Sequence, residues 1–297
     1  MNACIGTSPR TRTPSLRTLL VLGRVSNLPT VWSNCLAGWW LGGGWNYPQL
    51  PFLFVGVTLL YVGGMFLNDA FDAEFDRQHR NERPIPSGAI SSNLVWKLGV
   101  LWLVLGEICL LILGPVSGSL GLALTVCIVL YDAFHKLFTF SPILMGACRS
   151  LVYVVAASAG VQGVTGWSVW CGIALGTYVV GLSGLARQES IRASAPRWPL
   201  WLLAFPILLS LILNDRFFRG GAVIRCVVLA FWILYCLHAT FWRRDVQIGR
   251  TVSGLLAGIV IVDWLAVMNT NTPPELALIF LFLFLIAKFS QRFAPAT

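Results

Sequence analysis

The chain has 297 residues, 57% of them hydrophobic and 11% charged, against about 25% charged in an ordinary globular domain. With a mean hydropathy of +0.75, it cannot hide its apolar surface in one water-soluble core; a bilayer suits it, because helical spans of about 20 apolar residues satisfy their own backbone hydrogen bonds. The net charge of +9 does not indicate nucleic acid, since the Lys and Arg residues fall in short runs between apolar segments and not along one soluble face.

In chain order, Arg10, Arg12 and Arg17 precede an apolar run broken by Arg24, with no small-residue cleavage site, so residues 1–24 read as a retained cytoplasmic arm. Ten apolar windows follow, at roughly 25–45, 50–68, 93–113, 115–131, 142–161, 166–186, 198–213, 221–241, 251–268 and 274–290, with Pro, Gly and Asn in the gaps. No soluble domain interrupts them, and residues 25–292 form a single transmembrane domain. If the N-terminus is cytoplasmic, only Arg216, Arg219 and Arg225 of the 21 Lys and Arg residues fall outside, a strong positive-inside bias. The eight cysteines are scattered without a CxxC pair or His partners at metal spacing, and read as small buried hydrophobes. Asp263, alone in the ninth window, is expected to hydrogen-bond between helices.

At the end of the second window, Asn68-Asp69-Ala70-Phe71-Asp72-Ala73-Glu74-Phe75-Asp76 continues an apolar run with no turn residue between, so a continuous helix is predicted. At about 100° per residue, Asn68, Asp69, Asp72 and Asp76 share one quarter-turn sector. Three clustered carboxylates at a membrane rim repel one another and call for a cation, and their oxygen-only donors suit magnesium with substrate phosphate oxygens. Arg77 to Gly88 follows as a basic stretch stiffened by Pro84 and Pro86, a rigid loop placing cations such as Arg83 beside the acidic face.

NDxxDxxxD followed by RPIPSG closely resembles the first signature of the UbiA family of intramembrane prenyltransferases. Arg24-Val25-Ser26-Asn27 is similar to the Arg and Asn that open the family's first span. Tyr131-Asp132-Ala133-Phe134-His135-Lys136 resembles its diphosphate-holding Tyr and Lys. The resemblance reaches to about residue 200. It implies an all-α polytopic membrane protein, a bundle of nine or ten transmembrane helices around a central cavity: the family has nine spans where ten windows are present here.

Two positions depart from the family pattern. The second acidic motif, DxxxD at the end of the sixth span, is replaced by Leu185-Ala186-Arg187-Gln188-Glu189, so one carboxylate is missing and Arg187 stands beside the surviving Glu189. At the start of the fifth span, Arg149 occupies the place of the family's Gly-Asn. Both arginines are candidates for fixed positive charge toward phosphate oxygens, in partial replacement of a second metal; the alternative for Arg149 is snorkelling to the surface.

The resemblance thus implies magnesium-dependent transfer of an isoprenoid chain from a prenyl diphosphate to an acceptor. Asn68, Asp69, Asp72 and Asp76 are the catalytic set, and Asn68, Asp72, Asp76 and Glu189 the metal ligands. Arg24, Asn27, Arg83, Tyr131, Lys136, Arg149, Arg187 and Glu189 are placed on the diphosphate. The expected partners are the prenyl diphosphate, an unidentified acceptor and membrane lipid, with no nucleic acid. Two alternatives stay open: a prenyl-lipid binder without turnover, and a transporter with a cytoplasmic acidic cation site.

Overall fold

The computed structural model describes residues 14–45, 47–191, 198–213, 219–241, 248–267 and 272–291, with the backbone alone for 188–191, 219–220 and 239–241. Regular structure in these residues is helical throughout. A short helix α1 (Leu16–Leu22) and a 3-10 turn (Val25–Asn27) lead into α2 (Leu28–Leu41), and a second turn precedes α3 (Leu50–Phe71). Then come α4 (Ala73–His79), α5 (Ser92–Leu113), α6 (Pro115–Phe134) and α7 (Ser141–Ser158). The chain continues through α8 (Gly166–Ile191), α9 (Trp198–Leu213), α10 (Arg219–Phe241), α11 (Ile248–Ala266) and α12 (Pro274–Ser290).

Each of the ten apolar windows contains one of these helices. Prolines sit in the first turn of α2, α3, α6, α7 and α12, where the missing N–H costs nothing. Ser91 caps α5 by accepting from the Leu94 N–H. Among the described residues, seven helices are long and apolar enough to cross a bilayer: α3, α5, α6, α7, α8, α10 and α11; α9 is a shorter apolar helix with Pro206 in its interior. The protein is a multi-pass membrane protein. Its outer surface agrees, since Leu101, Val104, Ile108, Leu111 and Ile112 along α5 and Ile224, Val227, Phe231 and Leu234 along α10 are exposed large hydrophobes at helical spacing.

α2 and α11 form the centre. α11 buries Ile259, Val260, Ile261 and Val262 in succession, so no face of it meets solvent or lipid there. α2 packs against α3, α7, α11 and α12, and α3 against α5 and α6. The turn before α2 is tied to the end of α12, where the Ser290 hydroxyl donates to the Ser26 carbonyl at 2.9 Å. α3 and α5 approach closely at Gly63 and Gly99: a Cβ at Gly63 would lie 3.0 Å from the Gly99 carbonyl oxygen, and one at Gly99 would lie 2.7 Å from the Leu67 side chain. Small residues of this kind let membrane helices come within van der Waals reach, where lipid supplies no hydrophobic drive for association.

Within the N-terminal arm, α1 lies on α3, and Leu22 is buried with Phe66, Ala70, Ile85, Ile90 and Val95. One local result corrects an expectation. The predicted continuous helix through the acids is broken at Asp72, which caps α3 and starts α4.

Candidate active site

Three separate segments bring cations to the acids at the end of α3. Arg24, between α1 and α2, adopts a left-handed backbone (φ 42°, ψ 49°) that side chains rarely take. Its Nη2 donates to Asn68 Oδ1 at 3.1 Å and to Asp69 Oδ1 at 3.3 Å. From the other side, Arg83 Nη1 donates to the same Asp69 oxygen at 3.2 Å. The Arg83–Gly88 segment turns back on itself, with the Ser87 N–H on the Arg83 carbonyl, the Ala89 N–H on that of Pro84, and Gly88 at φ 73° where a side chain would be strained. Ile85 anchors it in the α1–α3–α5 cluster. The proline-stiffened loop therefore does place a cation on the acidic face.

The third cation source follows α6. Lys136 Nζ lies 2.7 Å from Asp72 Oδ1 and 3.8 Å from the centroid of the Phe75 ring, and His135 Nε2 lies 3.4 Å from Asp72 Oδ2. Burial pushes the Asp72 carboxyl up, but the hydrogen bonds and charges of His135 and Lys136 outweigh it and hold the group below the usual carboxylate range. Burial lowers His135, and its hydrogen bond and charge contact with Asp72 reverse this and raise it. Tyr131 stacks on His135, with centroids 5.2 Å apart and planes 22° apart.

One helical turn deeper, Asn68 Nδ2 donates to Asp132 Oδ1 at 3.1 Å. Asp132 is 2% exposed and its second oxygen has no partner. Asn27 is buried with its side-chain oxygen likewise unpartnered. Asp76 is 3% exposed on α4. Below these groups opens a cavity of about 80 Å³, lined mainly by apolar side chains such as Val57, Leu60, Leu124 and Ile128, with Tyr131, Asp132 and Arg149 in its wall.

An acid-and-cation rim over an apolar cavity suits a diphosphate with a hydrocarbon tail, and residues 28–209 match the UbiA prenyltransferase family. The chain belongs to that family. Among UbiA relatives, the digeranylgeranylglyceryl phosphate synthase of Sulfolobus acidocaldarius is 31% identical over 124 residues, 41% of this chain and 44% of that protein. The chain spans about half or less of the length of the first curated relatives it matches. A solved structure of digeranylgeranylglyceryl phosphate synthase superposes with a TM-score of 0.59 at 19% identity, covering 92% of this chain and 99% of that one. A UbiA homologue from Archaeoglobus fulgidus, solved with GPP and Mg2+, has a TM-score of 0.50 at 14% identity, over 92% and 99%. These last two likenesses speak for the UbiA fold.

Arg24, Arg83, Lys136 and Tyr131 thus gather around Asn68, Asp69 and Asp72. Arg187 is engaged elsewhere: its Nη1 donates to the Phe138 and Thr139 carbonyls and to Ser141 Oγ, at 3.1, 3.0 and 3.2 Å, clamping the α6–α7 loop that follows Lys136. Arg149 lies within the bundle, donating to Asn34 Oδ1 at 2.7 Å and Thr30 Oγ1 at 3.2 Å. The Glu189 side chain lies outside the described residues. Leu185, where the UbiA pattern has a carboxylate, is a buried core residue, 3% exposed. From the sequence, His135 is expected near the site as a helix-end residue only, and Asp132 has no role assigned; the structure brings both to the acids. The one available signal was their helical register with Tyr131 and Lys136 at the end of α6.

Among the described residues, no three His, Cys, Asp or Glu side chains converge into a metal centre. The donor chemistry nevertheless fits magnesium: the acids offer only hard oxygens, one Asp132 oxygen is buried without a partner, and Asp69 and Asp72 are held by cations that a diphosphate could draw away.

Proposed function

We propose that the protein transfers an isoprenoid chain from a prenyl diphosphate to an acceptor within the membrane, with the diphosphate bound at the cytoplasmic rim. The observation that carries this reading is the convergence of Arg24, Arg83 and Lys136, from three distant segments, on the acids above an apolar cavity. The names of the synthase relatives and the GPP and Mg2+ of the Archaeoglobus homologue support it. So does the bias of Lys and Arg toward one side.

In this mechanism the three cations exchange carboxylate partners for diphosphate oxygens, stabilising the leaving group as charge builds on it. Tyr131 and Asn27 add polar contacts. Asn68, Asp72 and Asp76, with Glu189, would hold magnesium, which when bound neutralises the departing diphosphate. The isoprenoid tail lies in the cavity, whose apolar walls keep water from the allylic cation. Arg187 acts at one remove, fixing the loop that follows Lys136. The catalytic set is Asn68, Asp69, Asp72 and Asp76.

One observation favours prenyl-lipid binding without turnover: Leu185 is buried where a second set of acids is expected. A single experiment separates the readings. Purified protein in nanodiscs is given radiolabelled geranylgeranyl diphosphate with and without magnesium, beside Asp72→Ala, with membrane extract as acceptor source. Labelled product or diphosphate release that disappears in the variant supports transfer. Magnesium-dependent binding without either product supports the lipid binder, and no binding refutes both.

A further inference from the structure

Arg149 is a charge inside the membrane-spanning bundle, and its partners do not use it up. A guanidinium has five N–H donors. Two are taken by Asn34 and Thr30, and Tyr61 lends the face of its ring, 6.0 Å from the guanidinium carbon. The other three meet no protein acceptor among the described residues, and Arg149 forms part of the cavity wall. Among the described residues, no carboxylate touches it. Asp263 is one residue removed, accepting from Asn34 Nδ2 at 2.7 Å, from Tyr153 Oη at 2.5 Å and from Ser33 Oγ, so the acid compensates the charge through Asn34 and leaves the cavity side of the fork open. A charged group with unmet donors in an apolar wall is costly unless something in the cavity accepts from it.

Three groups enter such a cavity if the function proposed above holds, and on that reading this inference rests. The isoprenoid tail has no acceptor atoms. The diphosphate has its own cations at the rim. Asn34 lies seven residues further along α2 than Asn27, about 10 Å deeper at 1.5 Å per residue, and Tyr61 is a similar distance along α3 from Asn68. Arg149 is bonded to Asn34 and also to Thr30, three residues from Asn27, so its fork lies about one to two helical turns below the residues placed on the diphosphate. The remaining group is the polar part of the acceptor. We infer that Arg149 is the acceptor-recognising residue of this protein and that the acceptor carries an oxyanion, a carboxylate or a phosphate, paired with the open side of the guanidinium fork. Thr30 and Asn34 aim that fork, and Asp263, behind Asn34, offsets its charge when the cavity is empty.

The test uses the full chain in nanodiscs and two matched pairs of probes: 4-hydroxybenzoate with 4-hydroxybenzyl alcohol, and an O-alkylglycerol phosphate with the corresponding alkylglycerol. Binding is read by calorimetry with and without magnesium and geranylgeranyl diphosphate. Wild type should bind the anionic member of one pair roughly tenfold or more tightly than the neutral member, the factor that a charge-assisted hydrogen bond supplies, and which pair shows it distinguishes carboxylate from phosphate. Arg149→Gln should bring that pair to parity, a larger loss than any it causes in geranylgeranyl diphosphate binding, while Arg149→Lys keeps a reduced preference. Equal binding within both pairs by wild type overturns the inference. So does an Arg149→Gln protein that loses the diphosphate and keeps the acceptor preference. If Arg149→Gln elutes as aggregate, Arg149→Lys decides, and an undiminished preference there rules out the fork. Absent geranylgeranyl diphosphate binding with the anion preference intact would refute the proposed function, and with it the acceptor role, while leaving an oxyanion site at Arg149.

Discussion

Arg24 holds its guanidinium on Asn68 and Asp69 from a left-handed backbone, a conformation that costs a side-chain-bearing residue about 1–3 kcal/mol. Glycine would take that conformation freely, so strain and charge can be varied separately. Arg24→Gly and Arg24→Gln should both weaken geranylgeranyl diphosphate binding about tenfold, the loss expected for one charge-assisted contact. In thermal unfolding, however, the glycine variant should melt above the glutamine variant. A glutamine variant of equal or higher melting temperature would show that the left-handed backbone stores no strain. The His135–Asp72 pair predicts a pH dependence. Asp72 is held below its ordinary value, so its contribution is present above about pH 4 and is lost only in stronger acid. His135 is raised, so its contribution is complete below about pH 6.5 and disappears as pH rises through the elevated value. Metal-free protein should therefore lose melting temperature as pH rises above about 6.5, and His135→Asn should flatten that slope. The residue scale is also where the sequence was least complete. The acids of α3 and α4 could be read because one helical period aligns them. Asp132 and His135 join them from 64 and 63 residues away, through a contact between helices that no local spacing encodes.

At the scale of elements, the positions of the ten apolar helices followed from hydropathy and from proline and glycine in the gaps. The break at Asp72 did not, because Asp-Ala-Phe-Asp-Ala-Glu contains no helix-breaking residue, and what holds Asp72 is Lys136 and His135 from beyond α6. Nor did α1, whose one buried residue, Leu22, packs on Phe66, Ile85 and Val95 from three other segments. The α3–α5 seam sets the depth and rotation of the helix that carries Asn68 and Asp69. Gly99→Leu would drive a side chain into Leu67 and the Gly63 backbone. It should cost about 1–3 kcal/mol, the range for overpacking a well-filled interior, seen as a lower melting temperature with weaker diphosphate binding. Unchanged stability would mean that the seam is looser than its glycines indicate.

For the whole molecule, Asp263 joins α2, α7 and α11 near the centre of the bundle, accepting from Ser33, Asn34 and Tyr153. Its expected role as a helix-to-helix hydrogen bond is what the structure shows, extended to three donors. Ser33 has the Thr30 carbonyl as a second acceptor, so Asp263→Leu should strand Asn34 and Tyr153, at about 1–3 kcal/mol for a buried group left unpaired. Asp263→Asn keeps an acceptor oxygen, and its amide can donate to the Tyr153 oxygen, but it removes the charge that offsets Arg149, so it should melt between Asp263→Leu and wild type; unfolding of both variants in one detergent checks the order. The acids of the candidate site, by contrast, are mounted on two frames. Asn68 and Asp69 belong to a membrane-fixed helix, whereas Asp76 rides on a seven-residue helix beyond the joint at Asp72, steadied from outside by the Arg83–Gly88 turn. Heat can therefore unseat the outer frame while the inner one stands. On a slow temperature ramp, prenyl diphosphate binding should vanish several degrees before circular dichroism records any loss of helix, so this protein would cease to work while still looking folded.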